Sequence, residues 1–212
     1  MKRLALLGAS GHGKVVADAA LASGWESVRF FDDALPGISM NGHWPVEGDS
    51  KVLMANLSDF DGVIVAIGNC NVRWRMQRAL QAAGACMATV IHPRASVNHY
   101  AMLGAGTVVM AGAVVNVDAV VGEACVINTC ASVDHDCVLG HGVHISPGAR
   151  LSGNVTVGGC SWVGAGAVIR QGMQLGANVM VGAGAVVVKT VPDGMTVAGN
   201  PARPIPPRPS TH

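Results

Sequence analysis

From Ile91 onward the chain repeats with a period of six. Ile91, Val97, Leu103, Val109, Val115 and Val121 lead a series ending at Val187, and all seventeen members are Ile, Leu or Val. Four residues after each comes mostly a small side chain, as at Ala95, Ala101, Thr107, Ala113 and Ala119. An α-helix repeats every 3.6 residues and a half-buried strand every two, so neither accounts for this spacing. A hexapeptide repeat predicts a parallel β-helix with one inward aliphatic residue per face. With three faces to a coil, the 102 residues from 91 to 192 predict five to six coils without an inserted loop.

The first ninety residues follow a different pattern. Arg3–Leu7 reads as a strand, GASGHGK as a glycine-rich turn, and Val15–Leu21 as a helix. Val28–Phe31 is a second strand running into Asp32 and Asp33, and Val63–Ile67 a third running into Gly68 and Asn69. A helix over Val72–Ala83 and a last strand over Met87–Ile91 complete the unit. Strands alternating with helices predict a parallel, Rossmann-like sheet whose ligand loops lie at the carboxyl ends of the strands. After Val188 the repeat stops, and five prolines beyond residue 200 predict an irregular tail. The expected organisation is an α/β unit over 1–90, a β-helix over 91–191 and a tail over 192–212.

Composition narrows the classes. Of the 212 residues 50% are hydrophobic, only 4% aromatic and only 13% charged, and the mean hydropathy is +0.40. The uncharged stretch between Arg94 and Asp118 has the length of a membrane span, but Asn98, His99, Asn116 and several glycines interrupt it. The six-residue period accounts for it instead, so no membrane segment is expected. Disorder does not fit so aliphatic a chain. Fourteen Lys and Arg against thirteen Asp and Glu leave no basic field for nucleic acid. The six cysteines form no CxxC pair, and the short apolar run at the N-terminus is no signal peptide. Reduced thiols and a cytoplasmic setting are the expectation.

Charge also locates the chemistry. Residues 91–188 hold seven of the 27 charged groups, and three residues of this stretch are Asp134, His135 and Asp136. A histidine between two carboxylates in a neutral surrounding suits proton transfer near neutral pH. The bland alternative is an exposed histidine on a β-helix face. His141 lies one face further round the coil and reads as a surface or subunit-contact residue. In the N-terminal loop the glycines stand at 8, 11 and 13, which is not the GxGxxG spacing of dinucleotide binding. The loop follows a strand and opens a helix, so its N–H groups can face a phosphate, and a plain tight turn is the alternative. Asp32 and Asp33 can accept from ribose or base groups, or merely cap a turn.

Hexads that close on Ala198–Arg203 (AGNPAR), together with GASGHGKVVAD, FFDD and NTCASVDHD, resemble the left-handed β-helix sugar-nucleotide N-acetyltransferases. These include perosamine and bacillosamine N-acetyltransferases of bacterial surface-glycan (O-antigen or lipopolysaccharide) synthesis, with sialic-acid O-acetyltransferase relatives. The resemblance implies a left-handed β-helix, a homotrimer with sites between subunits, and acetyl-CoA as cosubstrate. It implies acetyl transfer to the 4-amino group of a nucleotide-linked dideoxy sugar such as GDP-perosamine. His135 would be the general base, oriented by Asp136, where relatives carry the longer Glu. Ser10, Gly11, His12, Gly13, Asp32, Asp33, Gly68, Asn69 and Asn128 would contact the nucleotide sugar. His144, Gly153, Ala165, Ala183 and Lys189 would contact coenzyme A, with Arg203 as a further phosphate candidate. O-acetylation of a sialic-acid-like sugar and a non-catalytic β-helix scaffold are the alternatives. Similar trimers that bind zinc use three histidines; here His99 and His135 share a face, but the third position is Gly140, so no metal is expected.

Overall fold

The structure, a computed structural model, describes residues 1–33, 37 and 39–206. The last six residues of the expected tail lie outside the described residues. The N-terminal unit runs β1 (Arg3–Leu7), α1 (Gly11–Ala22), β2 (Ser27–Phe31), β3 (Met40–Asn41), β4 (Trp44–Gly48), α2 (Ser50–Ala55), β5 (Gly62–Val65) and α3 (Cys70–Ala82). The sheet order is β3-β4-β2-β1-β5, parallel except for the β3–β4 hairpin. Leu4 and Leu6 face α1, packing with Val16, Ala17, Ala20 and Phe30. Ala5 and Leu7 face the other way, onto Leu53 and Leu80. Such two-sided burial is why β1 reads as an unbroken apolar run.

The hairpin and α2 were not legible as elements, since WPVEG carries no clear alternation. The strand expected at Met87–Ile91 divides. Met87 makes a single bridge to Val63, whereas Val90–Ile91 pairs with Val108–Val109 and opens the β-helix. The reason is register: Val90 lies eighteen residues before Val108 and so belongs to the coil.

From there the chain winds as a left-handed parallel β-helix of two-residue strands. Each strand pairs in parallel with the one eighteen residues on, as in Val115↔Val133 and Ile127↔Ile145. The first face carries strands such as Val126–Ile127 and His144–Ile145, the second Ser132–Val133, and the third Val138–Leu139. The hexad aliphatics from Val109 to Val187 are buried and form one continuous core with the small corner residues. Three residues after each aliphatic the backbone turns the corner with positive φ, at every sixth position from Gly106 to Gly184. Seven of those fourteen are glycine, and Asp118, Asp136, Asn154 and Asn178 are among the rest, types that tolerate this region. The left-handed turn residue is thus a second six-residue signal running through the sequence.

The N-terminal unit sits on the first face. Val108, Met110 and Val126 of that face join the core shared by α1 and β1. The part of the tail expected to be irregular is ordered where described: Thr196–Ala198 extends the first face and pairs with Arg203–Pro204 as a hairpin. It closes the open end of the stack, where ladder groups would otherwise stand unpaired. Among the described residues no helix is long and apolar enough to cross a membrane.

Ile169 is fully buried in the stack, away from the charged corner. Ile169→Ala is expected to lower stability by about 2–5 kcal/mol, read as a lower chemical-denaturation midpoint.

Candidate active site

The second and third faces meet at an edge on which His135 and Gly153 lie one coil apart. Asn154 N–H donates to the His135 carbonyl at 2.9 Å, and Gly172 N–H to that of Gly153 at 3.0 Å. The His135 ring lies against Gly153: a Cβ there would collide with its Nε2 and Cε1. Its Nδ1 stands 2.7 Å from Asp136 Oδ2, and both side chains are more than half exposed. With Nδ1–H donating to the carboxylate, Nε2 is the basic nitrogen. The hydrogen bond to Asp136 raises the His135 pKa above its ordinary value.

Asp134 anchors the segment. Its Oδ1 accepts from His135 N–H at 2.8 Å and from Asn116 Nδ2 at 2.8 Å. The Asn116 bond is the main reason its pKa falls. Asn116 escaped the sequence reading, although it lies one eighteen-residue coil before Asp134.

A second group of site residues collects where the N-terminal unit meets the first face. Gly11, His12 and Gly68 line a cavity of about 400 Å³ with Asn128, Thr129, His144, Ser146 and Trp162. His144 is 3% exposed and stacks on Trp162 with ring centroids 4.0 Å apart. Asn128 Nδ2 lies 3.3 Å from His144 Nε2, and the His12 ring centroid is 5.9 Å from that of His144. His12 Nε2, His144 Nδ1 and Ser146 Oγ are buried without a hydrogen-bond partner. Three such atoms around one cavity need a polar guest or water. Burial, and then the Arg73 charge, lower the His12 pKa to about 4. Burial, Arg73 and His12, in that order, lower His144 to about 3. Both rings are neutral at pH 7 and can donate or accept. Trp162 and Ser146 were missed; Trp162 is eighteen residues after His144, the one signal that could have found it.

Next to this cavity, Gly8, Ser10, Asp32, Asp33, Arg75 and Met76 line another of about 320 Å³. The glycine-rich loop therefore faces two cavities, Ser10 one and Gly11–His12 the other. Asp32 Oδ2 accepts from Ala9 N–H at 2.6 Å and holds the loop against the end of β2. Both Asp33 oxygens are engaged by Ser50, at 2.6 Å from its N–H and 2.9 Å from its hydroxyl. Gly13 is buried beneath the Gly8 carbonyl and the Phe30 ring, where any Cβ would collide. Asn69 caps α3 through Val72 N–H at 3.0 Å. With Gly68, Cys70 and Trp162 it lines a third cavity of about 450 Å³.

Of the residues expected at coenzyme A, His144 lies on a strand of the first face and lines the cavity of His12 and Asn128, and the other four fall on two edges. Gly153 is on the edge of His135, which Lys189 continues two coils further on; Ala165 and Ala183 stack on the edge between the first and second faces, joined by the Gly184 N–H to Ala165 carbonyl bond at 2.8 Å. Lys189 and Arg203 together line a cavity of about 300 Å³ at the closed end of the stack. His141, expected at the surface or between subunits, is exposed and stacks on Trp74 of α3 with centroids 4.6 Å apart and planes 3° from parallel. It is a contact between the two units of one chain. Among the described residues no three His, Cys, Asp or Glu side chains converge as a metal site.

The same architecture occurs in proteins of known structure. The acetyltransferase domain of PglB from Neisseria gonorrhoeae FA1090, solved with acetyl coenzyme A, is 46% identical over 96% of this chain and 99% of its own, with a TM-score of 0.91. The chain belongs to the family of hexapeptide-repeat sugar N-acetyltransferases. PerB from Caulobacter crescentus, solved with CoA and GDP-perosamine, is 35% identical over 97% of this chain and 98% of its own, with a TM-score of 0.91. Residues 3–80 match the PglD N-terminal domain family. The curated UDP-N-acetylbacillosamine N-acetyltransferase of Bacillus subtilis (strain 168) is 38% identical over 114 residues, about half the length of each protein.

The bare backbone of Gly153 leaves room for the His135 ring. Gly153 has no positive φ, and what a Cβ would meet is the exposed His135 ring, so Ala is accommodated by displacing that ring. Gly153→Ala is expected to keep its thermal midpoint while acetyl transfer falls about 100-fold, checked by calorimetry beside steady-state rates.

Proposed function

We propose that the chain transfers the acetyl group of acetyl-CoA to the 4-amino group of a nucleotide-linked dideoxy amino sugar, GDP-perosamine being one candidate. The observation that carries this reading is the His135–Asp136 pair lying against Gly153, a basic nitrogen facing the strip of backbone assigned to the thioester. A thioester is already activated, so the protein needs only to align the amine and take its proton. As the amine nitrogen bonds to the carbonyl carbon, its proton passes to His135 Nε2. The carbon–sulfur bond then breaks and the proton leaves His135 for the thiolate. Asp136 keeps Nδ1 protonated and so keeps Nε2 as the acceptor.

The glycine-rich loop and the Asp32–Arg75 cavity suit the nucleotide, with helix N–H groups toward phosphate. The neutral His12–Asn128–His144 cavity suits the sugar hydroxyls. Ala165 and Ala183 on one edge, with Gly153 and Lys189 on another, support a coenzyme lying between two copies of the chain. Lys189 stands two coils beyond Gly153, at the closed end of the stack, where with Arg203 it lines a cavity suited to the phosphates. A homotrimer is further supported by the aligned exposed row Met102, Val120 and Val138 on the third face, beside the His135 edge. The six free thiols suit a cytoplasmic setting.

Purified protein with acetyl-CoA and a panel of GDP- and UDP-linked 4-amino sugars is expected to release CoA thiol in step with N-acetylated product. No release with any amine overturns the reading, and acetylation of a hydroxyl sugar alone makes the chain an O-acetyltransferase. His135→Ala is expected to lower kcat/KM about 100-fold; an unchanged value removes the base assignment. Because the base acts when neutral and Asp136 raises its pKa, kcat/KM should fall as pH drops through a midpoint above 6.5. Asp136→Asn should move that midpoint down. Val138→Glu, which sets a charge in the apolar row, should convert the trimer to monomer by light scattering.

A further inference from the structure

Arg73 of α3 is 1% exposed, the largest fully buried side chain of the molecule among the described residues. No described carboxylate lies within ion-pair distance of it. Its guanidinium instead donates to backbone carbonyls of both units. Nη1 reaches the Ile67 and Gly68 carbonyls, each at 2.8 Å, just beyond the end of β5. Nε reaches Ala124 at 2.8 Å and Nη2 reaches Gly142 at 2.7 Å, in two coils of the β-helix. Nη2 also approaches Cys70 Sγ at 3.6 Å. All five donors of the planar fork are used. Gly68, held on one side by this fork, lines both cavities that open between the two units.

We propose that Arg73 is a positioning residue: it clamps Gly68, and with it the wall of the acceptor cavity, onto the β-helix. A hydrophobic contact could join the units but would not fix their register, whereas a rigid five-donor fork accepts only one arrangement of four carbonyls. The charge has a second consequence. Burial acts most strongly on the His12 and His144 rings, followed by Arg73 on both and by His12 on His144, with the Gly68 backbone opposing at His144. Together with burial, a fixed cation with no carboxylate beside it favours the neutral form of both rings, as hydrogen-bond partners for sugar hydroxyls. The inference rests on the proposed acceptor role of this cavity.

The test uses the full-length chain with Arg73→Lys, which keeps the charge and loses the fork, and Arg73→Met, which loses both. Binding of the nucleotide sugar and of acetyl-CoA is measured separately by calorimetry, with steady-state constants alongside. In Arg73→Lys the Kd and KM for the nucleotide sugar should rise about tenfold, with those for acetyl-CoA unchanged. A residue that merely supports folding would reduce the active fraction and leave both KM values alone; that result overturns the proposal. If neither variant folds, the wild-type chain decides by histidine NMR titration. His12 and His144 signals that do not titrate above pH 5 support the neutral cavity wall that burial and Arg73 produce together, and a midpoint near 6.5 for either overturns it. That readout needs no turnover, so a chain that acetylates no amino sugar would refute the proposed function while the titration still tests Arg73.

Discussion

The β-helix half of the site is set by one interaction, the parallel backbone ladder that pairs each residue of the coil with the residue eighteen further on. Because Val115 pairs with Val133 and Val133 with Leu151, corner residues repeat in the same register and stack into edges. His135 meets Gly153, and His144 meets Trp162, for no other reason than that spacing. A stack held this way has few degrees of freedom. It presents side chains about one strand spacing apart, near 4.8 Å.

The histidines divide by environment rather than by sequence. His135 stands on an open edge against a carboxylate, which raises its pKa; His12 and His144 lie in a closed seam beside an unpaired guanidinium, which with burial lowers theirs. One residue type thus stands as an exposed ring of raised pKa on a corner and as two neutral rings in a cavity. The separation of pKa values between neighbouring titratable groups is what lets one site bind and exchange protons at the same pH.

The β-helix itself was legible because two signals share one period, the inward aliphatic and the small residue four places later; the structure adds a third, the corner residue with positive φ. Asp136 carries both meanings: it belongs to the corner series with Asp118 and Asn154, and its carboxylate holds the His135 ring. The expected site residues were legible as members of motifs, and the glycine-rich loop was placed correctly at the end of β1. What the motif could not convey was the division of labour inside it. Gly13 packs against Phe30, Asp33 is spent on Ser50, and Asp32 secures the loop at Ala9. Those roles depend on partners 17 to 23 residues away in sequence and on which side of the sheet each one falls.

The sequence by itself determined the coil, its length and the parallel sheet before it, because each follows from local spacing and side-chain chemistry. Only the tertiary structure decided where the two units meet. The seam joins His12 to His144, Trp74 to His141, and Arg73 to carbonyls 51 and 69 residues away. None of these pairs shares a period or a motif. They exist because α1 covers the first face of the β-helix and α3 the edge between the third and first faces, where the buried cation meets four carbonyl oxygens and one thiol.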